Sequence, residues 1–281
     1  MAEPGSRLSA ALLLGGGLRP SPLGYAVGGS VLDLEIASGE TVAQRWLERW
    51  RELPVDLRPG AVRCLVARGA PTPRSIGSAA APPVSATVEV DQREFCGPAG
   101  AVRDAVASMA DEEVIVVHEG ATFAATSLEP MVERHFEGRV EATVGMNPDG
   151  SPAGLYILRA SHFRDVSAVG FTDLKEQFLD RLRARGVAIR VFGLARPGVL
   201  PLRTRADFLR AAHAAAGRPG RAAIDLRPAL LAGAGLALQD STLSAAARVA
   251  PGARVVGSVI MSGSSVDDGA VVVRSIICPG A

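Results

Sequence analysis

Lysine is nearly missing from this 281-residue chain. Of its 30 basic side chains only Lys175 is not arginine, so a mechanism that needs two lysines is excluded. Aromatic residues make up 4% of the sequence against 48% hydrophobic, so the core has to be built from Ala, Val, Leu and Ile. The three cysteines, Cys64, Cys96 and Cys278, are far apart and contain no Cys-x-x-Cys spacing. Neither a zinc site nor a disulfide framework is expected, and a reduced, cytoplasmic setting fits. No apolar run reaches about 18 residues, and no apolar core follows a basic segment at the N-terminus. A membrane span and a signal peptide are therefore not expected. The formal net charge of +1 gives no electrostatic case for a nucleic acid or an anionic membrane as partner.

What is present is organised around residues 12–23, LLLGGGLRPSPL. An apolar run over 10–14 enters Gly15, Gly16 and Gly17, the pattern of a buried strand that ends in a tight loop. Glycines let a ligand approach the main chain without a Cβ in the way. The N–H groups of such a loop can hold phosphate oxygens, and Arg19 just beyond can clamp them. Taken alone, the pattern is more often that of a plain turn.

The rest of the chain alternates strand and helix signals. Strands are expected over 62–67, 84–90, 114–117, 140–146, 153–158 and 187–192. Helices are expected over 39–53, 128–136 and 171–185, the first with Thr41 as N-cap and Gly186 closing the last. Trp46 and Trp50 lie on the apolar stripe of the first helix and read as core. His118 reads as a polar residue at a strand end, and Lys175 as a surface residue with acidic neighbours.

Residues 12–23 resemble the opening signature of the sugar-1-phosphate nucleotidyltransferases (NDP-sugar pyrophosphorylases), L-A-G-G-x-G-T-R-L-x-P-L. Gly15, Gly17, Arg19, Pro22 and Leu23 match it, while Leu14 and Leu18 replace a small residue and the threonine. The family's Pro-Lys pair falls on Gly28 and Gly29. FCGPAGAVRDAV, 95–106, resembles the family's L-G-T-A-G-A-L loop that faces the nucleotide base, with Gly97, Ala99, Gly100 and Ala101 matching and Pro98 in place of threonine. AGLYIL, 153–158, resembles the N-A-G-I-Y strand, reached without the family's Glu-Lys-Pro segment that grips the sugar phosphate. VLPLRTRADFLRA, 199–211, resembles W-x-D-I-G-T-x-x-D-Y-x-x-A, with a capping-box-like pair at Thr204 and Asp207.

The resemblance implies a doubly wound, Rossmann-like α/β domain over 1–216. It implies nucleotide contacts at Leu14, Gly15, Gly16, Gly17, Arg19, Gly97, Pro98, Ala99, Gly100, Glu119 and Gly120, and sugar-side contacts at Ala153 and Gly154. The family's two metal-binding aspartates fall on Ala121 and Pro201, which carry no ligand atom. Glu119 could partly substitute if its strand runs on. Together these losses imply a non-catalytic nucleotide- or sugar-nucleotide-binding, regulatory or scaffolding subunit with no cofactor. The alternative is a divergent active transferase that uses Arg19, Glu119 and Mg²⁺, and a third reading is a structural oligomer that binds no nucleotide.

From 243 the period changes. Leu243, Val249 and Val255 recur every six residues with small residues between, the hexapeptide pattern of a left-handed parallel β-helix. This places a linker over 217–242 and a short, partial β-helix over 243–281. Acyl transfer, which uses a histidine on such modules, is not expected, because no histidine follows His213. The last repeat is incomplete at Ala281, so pairing with a second copy or with an active homologue is expected there.

Overall fold

The apolar run before the glycines forms β1 (Leu8–Gly16), an interior strand of a seven-stranded sheet. The other strands are β2 (Ala61–Val66), β3 (Ser85–Val90), β4 (Val114–Glu119), β5 (Ala142–Met146), β6 (Pro152–Arg159) and β7 (Ile189–Gly193). Their order across the sheet is β3-β2-β1-β4-β6-β5-β7. Neighbours run parallel except β6, which is antiparallel to both β4 and β5. The computed structural model describes residues 7–17, 19–37, 40–78, 85–91, 93, 96–138, 140–216, 237–239, 241–244 and 246–281. Leu18, Gly39, Val84, Phe95 and nearly all of the linker expected over 217–242 lie outside the described residues.

Side chains alternate across a strand, and β1 shows the consequence. Ala11 and Leu13 enter one core with Trp46, Met131 and Phe208, while Ala10 and Leu12 enter a second with Val102, Phe178 and Leu182. The first core is covered by α2 (Val42–Arg51), α4 (Glu129–Glu137) and α6 (Arg205–Ala216), the second by α3 (Gly97–Ala105) and α5 (Leu179–Ala184). A short helix, α1 (Pro22–Val27), follows the glycines, and a single helical turn, Ser75–Ser78, follows β2. The result is a mixed α/β layer structure with a largely parallel sheet buried on both faces, which is why its central strands read as unbroken apolar runs.

Local boundaries follow the caps. Thr41 and Gln44 form a reciprocal capping box ahead of α2, with bonds of 2.8 and 3.3 Å. The helix expected over 171–185 starts later, because the Asp173 carboxylate accepts the N–H groups of Lys175 and Glu176. A π-turn, Leu174–Phe178, leads into α5, and Gly186 closes it at φ +77°. Strand β4 continues to Glu119, two residues beyond the expected end.

The tail is a ladder of two- and three-residue strands in parallel pairing. Leu243 pairs with Ile260 and Ile260 with Ile277, Val249 with Val266, and Val255 with Val272. Each turn therefore takes 17 residues where three sixes were expected. Two corners are made by turns containing Gly252 and Gly263, whereas the third pivots on the single left-handed residue Gly257, and one turn later on Arg274 at φ +45°. One corner is thus a residue shorter. The ladder has its own apolar stack around Val255, Ile260 and Val266. It is tied to the α/β layer by Val259 and Met261, which enter the first core. Glu35 adds to the tie by accepting from Ser244 Oγ at 2.5 Å and Ser262 N–H at 3.0 Å. Among the described residues no helix is long and apolar enough to cross a membrane.

Trp46 and Trp50 are core residues, with His118 of β4 between them at ring-centroid distances of 4.0 and 5.4 Å. His118 is fully buried, and burial pushes its pKa down to about 3. Burial likewise lowers His135 to about 4. In the range between these values and the ordinary histidine value, the unfolded chain binds protons that the folded chain refuses, so stability falls as pH drops below about 6.5. We expect chemical-denaturation stability to decline from pH 7 to pH 5 at up to about 1.4 kcal/mol per pH unit for each such histidine. His118→Phe should reduce that slope by about one proton's worth. An unchanged slope in a folded variant would remove His118 from the account.

Candidate functional site

The carboxyl ends of β4, β1, β2 and β3 line up side by side, because these four strands are parallel neighbours. Crossovers leave β1 toward β2 on one side while β4 lies on the other, which opens a crevice above β1. That crevice is a cleft with two lobes. Leu14, Gly16, Gly17, Arg19 and Pro98 line both.

The lobe over β2 and β3 has a volume of about 630 Å³. Its wall is mostly apolar, from Leu65, Cys96, Ala101 and the exposed ring of Phe171, with Asp91 and Arg93 beyond. Burial pushes the Cys96 thiol pKa up, and the neighbouring Asp91 adds to the effect. The Asp91 carboxyl is itself raised, chiefly by burial.

The lobe over β4 measures about 420 Å³ and is charged. Glu119 stands at its centre. Its carboxylate takes Lys175 Nζ at 2.8 Å on one oxygen and Arg203 Nη2 at 3.3 Å on the other. Lys175, expected on the surface, is turned into the cleft. The reason is local: Asp173 caps the helical turn, and Lys175 sits in that first turn, facing the end of β4. Arg203 is placed by its backbone, whose carbonyl accepts from Leu23 N–H at 2.9 Å. The sequence pattern marks neither as a site residue. The available signal was positional, since each neighbours a helix cap, at Asp173 and at Thr204.

The expected site residues divide into two groups. Leu14, Gly15, Gly16, Gly17, Arg19, Gly97, Pro98, Glu119 and Gly120 line the cleft. Ala99 and Gly100 do not: both are buried, and a Cβ on Gly100 would lie 2.7 Å from Cys96 Cβ. The expected base platform is thus reduced to Gly97, Pro98 and Ala101, because α3 turns its next residues into the second core. Ala153 is buried in the first core, and Gly154 lies against Glu119, where a Cβ would be 3.0 Å from the carboxyl carbon. The expected sugar-side pair therefore backs the site.

Ala121 and Pro201 come together. Strand Val199–Pro201 runs antiparallel to Thr122–Ala124, with Pro201 opposite Thr122, and Leu202 N–H donates to Ala121 O at 2.8 Å. Helix α2 fixes this pair from behind: Trp46 Nε1 donates to Thr122 O and Arg49 Nε to Ala124 O. Among the described residues no three His, Cys, Asp or Glu side chains converge as a metal-binding group.

No protein-family model and no curated protein matches the chain. Solved structures do. HddC from Yersinia pseudotuberculosis is 15% identical with a TM-score of 0.54, covering 73% of this chain and 98% of that one. The same protein complexed with GMP-PN gives 14%, 0.54, 73% and 98%. A Bacillus anthracis protein described as a candidate glucose-1-phosphate thymidylyltransferase, in complex with a sucrose, gives 14%, 0.58, 76% and 97%. The fold is that of a sugar-1-phosphate nucleotidyltransferase.

Within this nucleotidyltransferase fold the three glycines have different duties. A methyl group on Gly15 would overlap Cys64 Sγ on the adjacent strand, a thiol whose pKa burial pushes up to about 12. Gly17 has nothing within 4 Å of the position a Cβ would take. Gly15→Ala should therefore destabilise the fold by about 1–3 kcal/mol through overpacking, and Cys64→Ala in the same chain should recover most of that loss. Gly17→Val should leave the melting temperature close to wild type. Thermal melts of the three variants check this, and equal losses at Gly15 and Gly17 would contradict the assignment.

Proposed function

We propose that the chain binds a nucleotide or sugar nucleotide in the two-lobed cleft without turning it over, as a binding, regulatory or scaffolding subunit. The observation that carries this reading is the state of the carboxylates. Among the described residues, the two carboxylates in the lobe over β4 are Glu119 and Asp173. Glu119 is engaged by Lys175 and Arg203, and Asp173 caps the following helix. The positions matched to the family's metal aspartates are an alanine and a proline. Mg²⁺ requires oxygen ligands, and this donor set does not fit it. No step through a metal is therefore derived, and no cofactor is proposed.

What remains suits binding. The backbone around Gly16 and Gly17 is open to the cleft, and Arg19 can make charge-assisted contacts to a phosphate. Phe171, Pro98 and Leu65 offer an apolar wall to a base. Lys175 and Arg203 add positive charge, already partly neutralised by Glu119. Fewer phosphates are then favoured, so an NMP or NDP-sugar is expected over an NTP.

A second reading is favoured by one observation, the sole lysine directed into the cleft beside Glu119. On that reading the chain is a divergent active transferase that makes an NDP-sugar from an NTP and a sugar 1-phosphate. The two readings predict opposite results for Glu119→Gln. As a counter-ion, its removal frees Lys175 and Arg203 and tightens NDP-sugar binding; as part of catalysis, its removal abolishes turnover.

Calorimetry with a panel of NMPs, NTPs and NDP-sugars is expected to find binding with little Mg²⁺ dependence. Arg19→Ala should weaken it by about 1.5–3 kcal/mol, Gly17→Val should abolish it, and Glu119→Gln should strengthen it. No pyrophosphate release from an NTP with hexose 1-phosphates is expected; EDTA-sensitive release would install the active-enzyme reading. If no nucleotide binds wild type better than Gly17→Val, the structural-oligomer reading takes its place.

The 17-residue parallel ladder and its αL corners support reading 243–281 as a short left-handed parallel β-helix appended to an α/β domain over 1–216. Such a module is proposed to pair copies of the chain, or the chain with an active homologue. Val271 and Val273 expose two-thirds and half of their surface on the outside of the ladder, an apolar feature suited to a partner. Light scattering should show an oligomer, and Val271→Asp with Val273→Asp should lower its mass; a monomer in both forms would overturn this assembly role.

A further inference from the structure

We propose that Asp91 makes the cleft selective for guanine over the other nucleobases. The inference rests on the reading above that the cleft takes a nucleotide, and adds which one. Asp91 follows β3 directly, and its N–H donates to Val66 O at 2.8 Å, which fixes the backbone at the edge of the apolar lobe. Its carboxylate borders that lobe, with the Cys96 thiol at 3.7 Å from Oδ2. Adjacent strands are about 4.8 Å apart, so β3 lies roughly 10 Å from β1. With a phosphate at Gly17 and Arg19, a base laid across the ends of β2 and β3 brings its outer edge to Asp91.

An ionised carboxylate only accepts hydrogen bonds, and it can accept two side by side. Guanine presents two adjacent donors on its Watson–Crick edge, N1–H and N2–H₂. Adenine and cytosine present one amino group beside a ring acceptor, which faces a carboxylate unfavourably. Uracil and thymine present a single N–H flanked by carbonyl oxygens. Guanine alone among these fills both oxygens without opposing another acceptor. The nearby Asp104 carboxylate is paired with Arg103 at 2.8 Å and Arg93 at 3.9 Å, which leaves Asp91 as the carboxylate that borders the lobe. The ligand is oriented by its phosphates, which Arg19, Lys175 and Arg203 attract at the other lobe, and this leaves its base toward Asp91. Phe171 at the mouth supplies a ring face on which a base can stack.

The test is calorimetry on the full chain with GDP, IDP, ADP and UDP. IDP differs from GDP only in lacking the N2 amine, so the pair isolates one hydrogen bond without changing the protein. GDP is expected to bind about tenfold tighter than IDP and tighter still than ADP and UDP. Asp91→Asn should bring GDP and IDP to within about twofold of each other while leaving UDP affinity nearly unchanged. A wild type that binds UDP or ADP as well as GDP, or an Asp91→Asn variant that keeps the guanine preference, overturns the assignment and leaves the cleft reading standing. A wild type that binds none of the four overturns both.

Discussion

The cleft depends on how closely β1 and β4 approach at their carboxyl ends. Gly120 N–H donates to Leu14 O at 3.0 Å, and a Cβ on Gly120 would lie 2.6 Å from that same oxygen. On the other side, Gly15 leaves room for the Cys64 thiol of β2. With the Leu14 carbonyl and the Cys64 thiol in place, only glycine fits at these two positions. Where they meet, the chain leaves the sheet in different directions, and the crevice above β1 is what is left between the departing loops. Glycine-rich sequence thus shapes the site first through packing of the sheet and only then, at Gly17, through access for a ligand.

Charge organises the other half of the cleft. A single lysine and one arginine share one carboxylate, at 2.8 and 3.3 Å. The pair is partly screened by solvent, so its net worth to stability is small. Its consequence is for binding, because an arriving phosphate has to compete with Glu119 for both cations. Gly154, at a φ of +67° that favours glycine, has no side chain on that face, so its backbone packs directly against the Glu119 side chain.

The ladder at the C-terminal side is not an independent appendage. Gly29, Ser30, Val31 and Leu32 line the charged lobe, and three residues later Glu35 grips Ser244 and Ser262 of the ladder. One short stretch of chain therefore touches both the ligand cleft and the tail. The buried ends of that link are a carboxylate with two hydrogen-bond donors and the apolar side chains of Val259 and Met261, so the two parts share a core as well as a polar clamp.

Much of the scaffold was legible in the order of residues because its signals are local. The apolar run into Gly15, the Thr41 and Thr204 caps and Gly186 at a helix end each depend on neighbours a few positions away, and the structure has each of them. The period of the tail slipped from 18 to 17 because a corner built on one left-handed residue leaves no trace in hydrophobic spacing. What the tertiary structure alone decided is which side chains meet. The sequence put Lys175 among acidic neighbours on a helix, but sheet order brought it to Glu119, 56 positions away. It likewise put Ala99, Gly100 and Ala153 in matching motifs, but helix and strand rotation turned them into the core. Local pattern determines which element forms and which face is apolar; the direction of an individual polar side chain is settled by long-range packing and pairing.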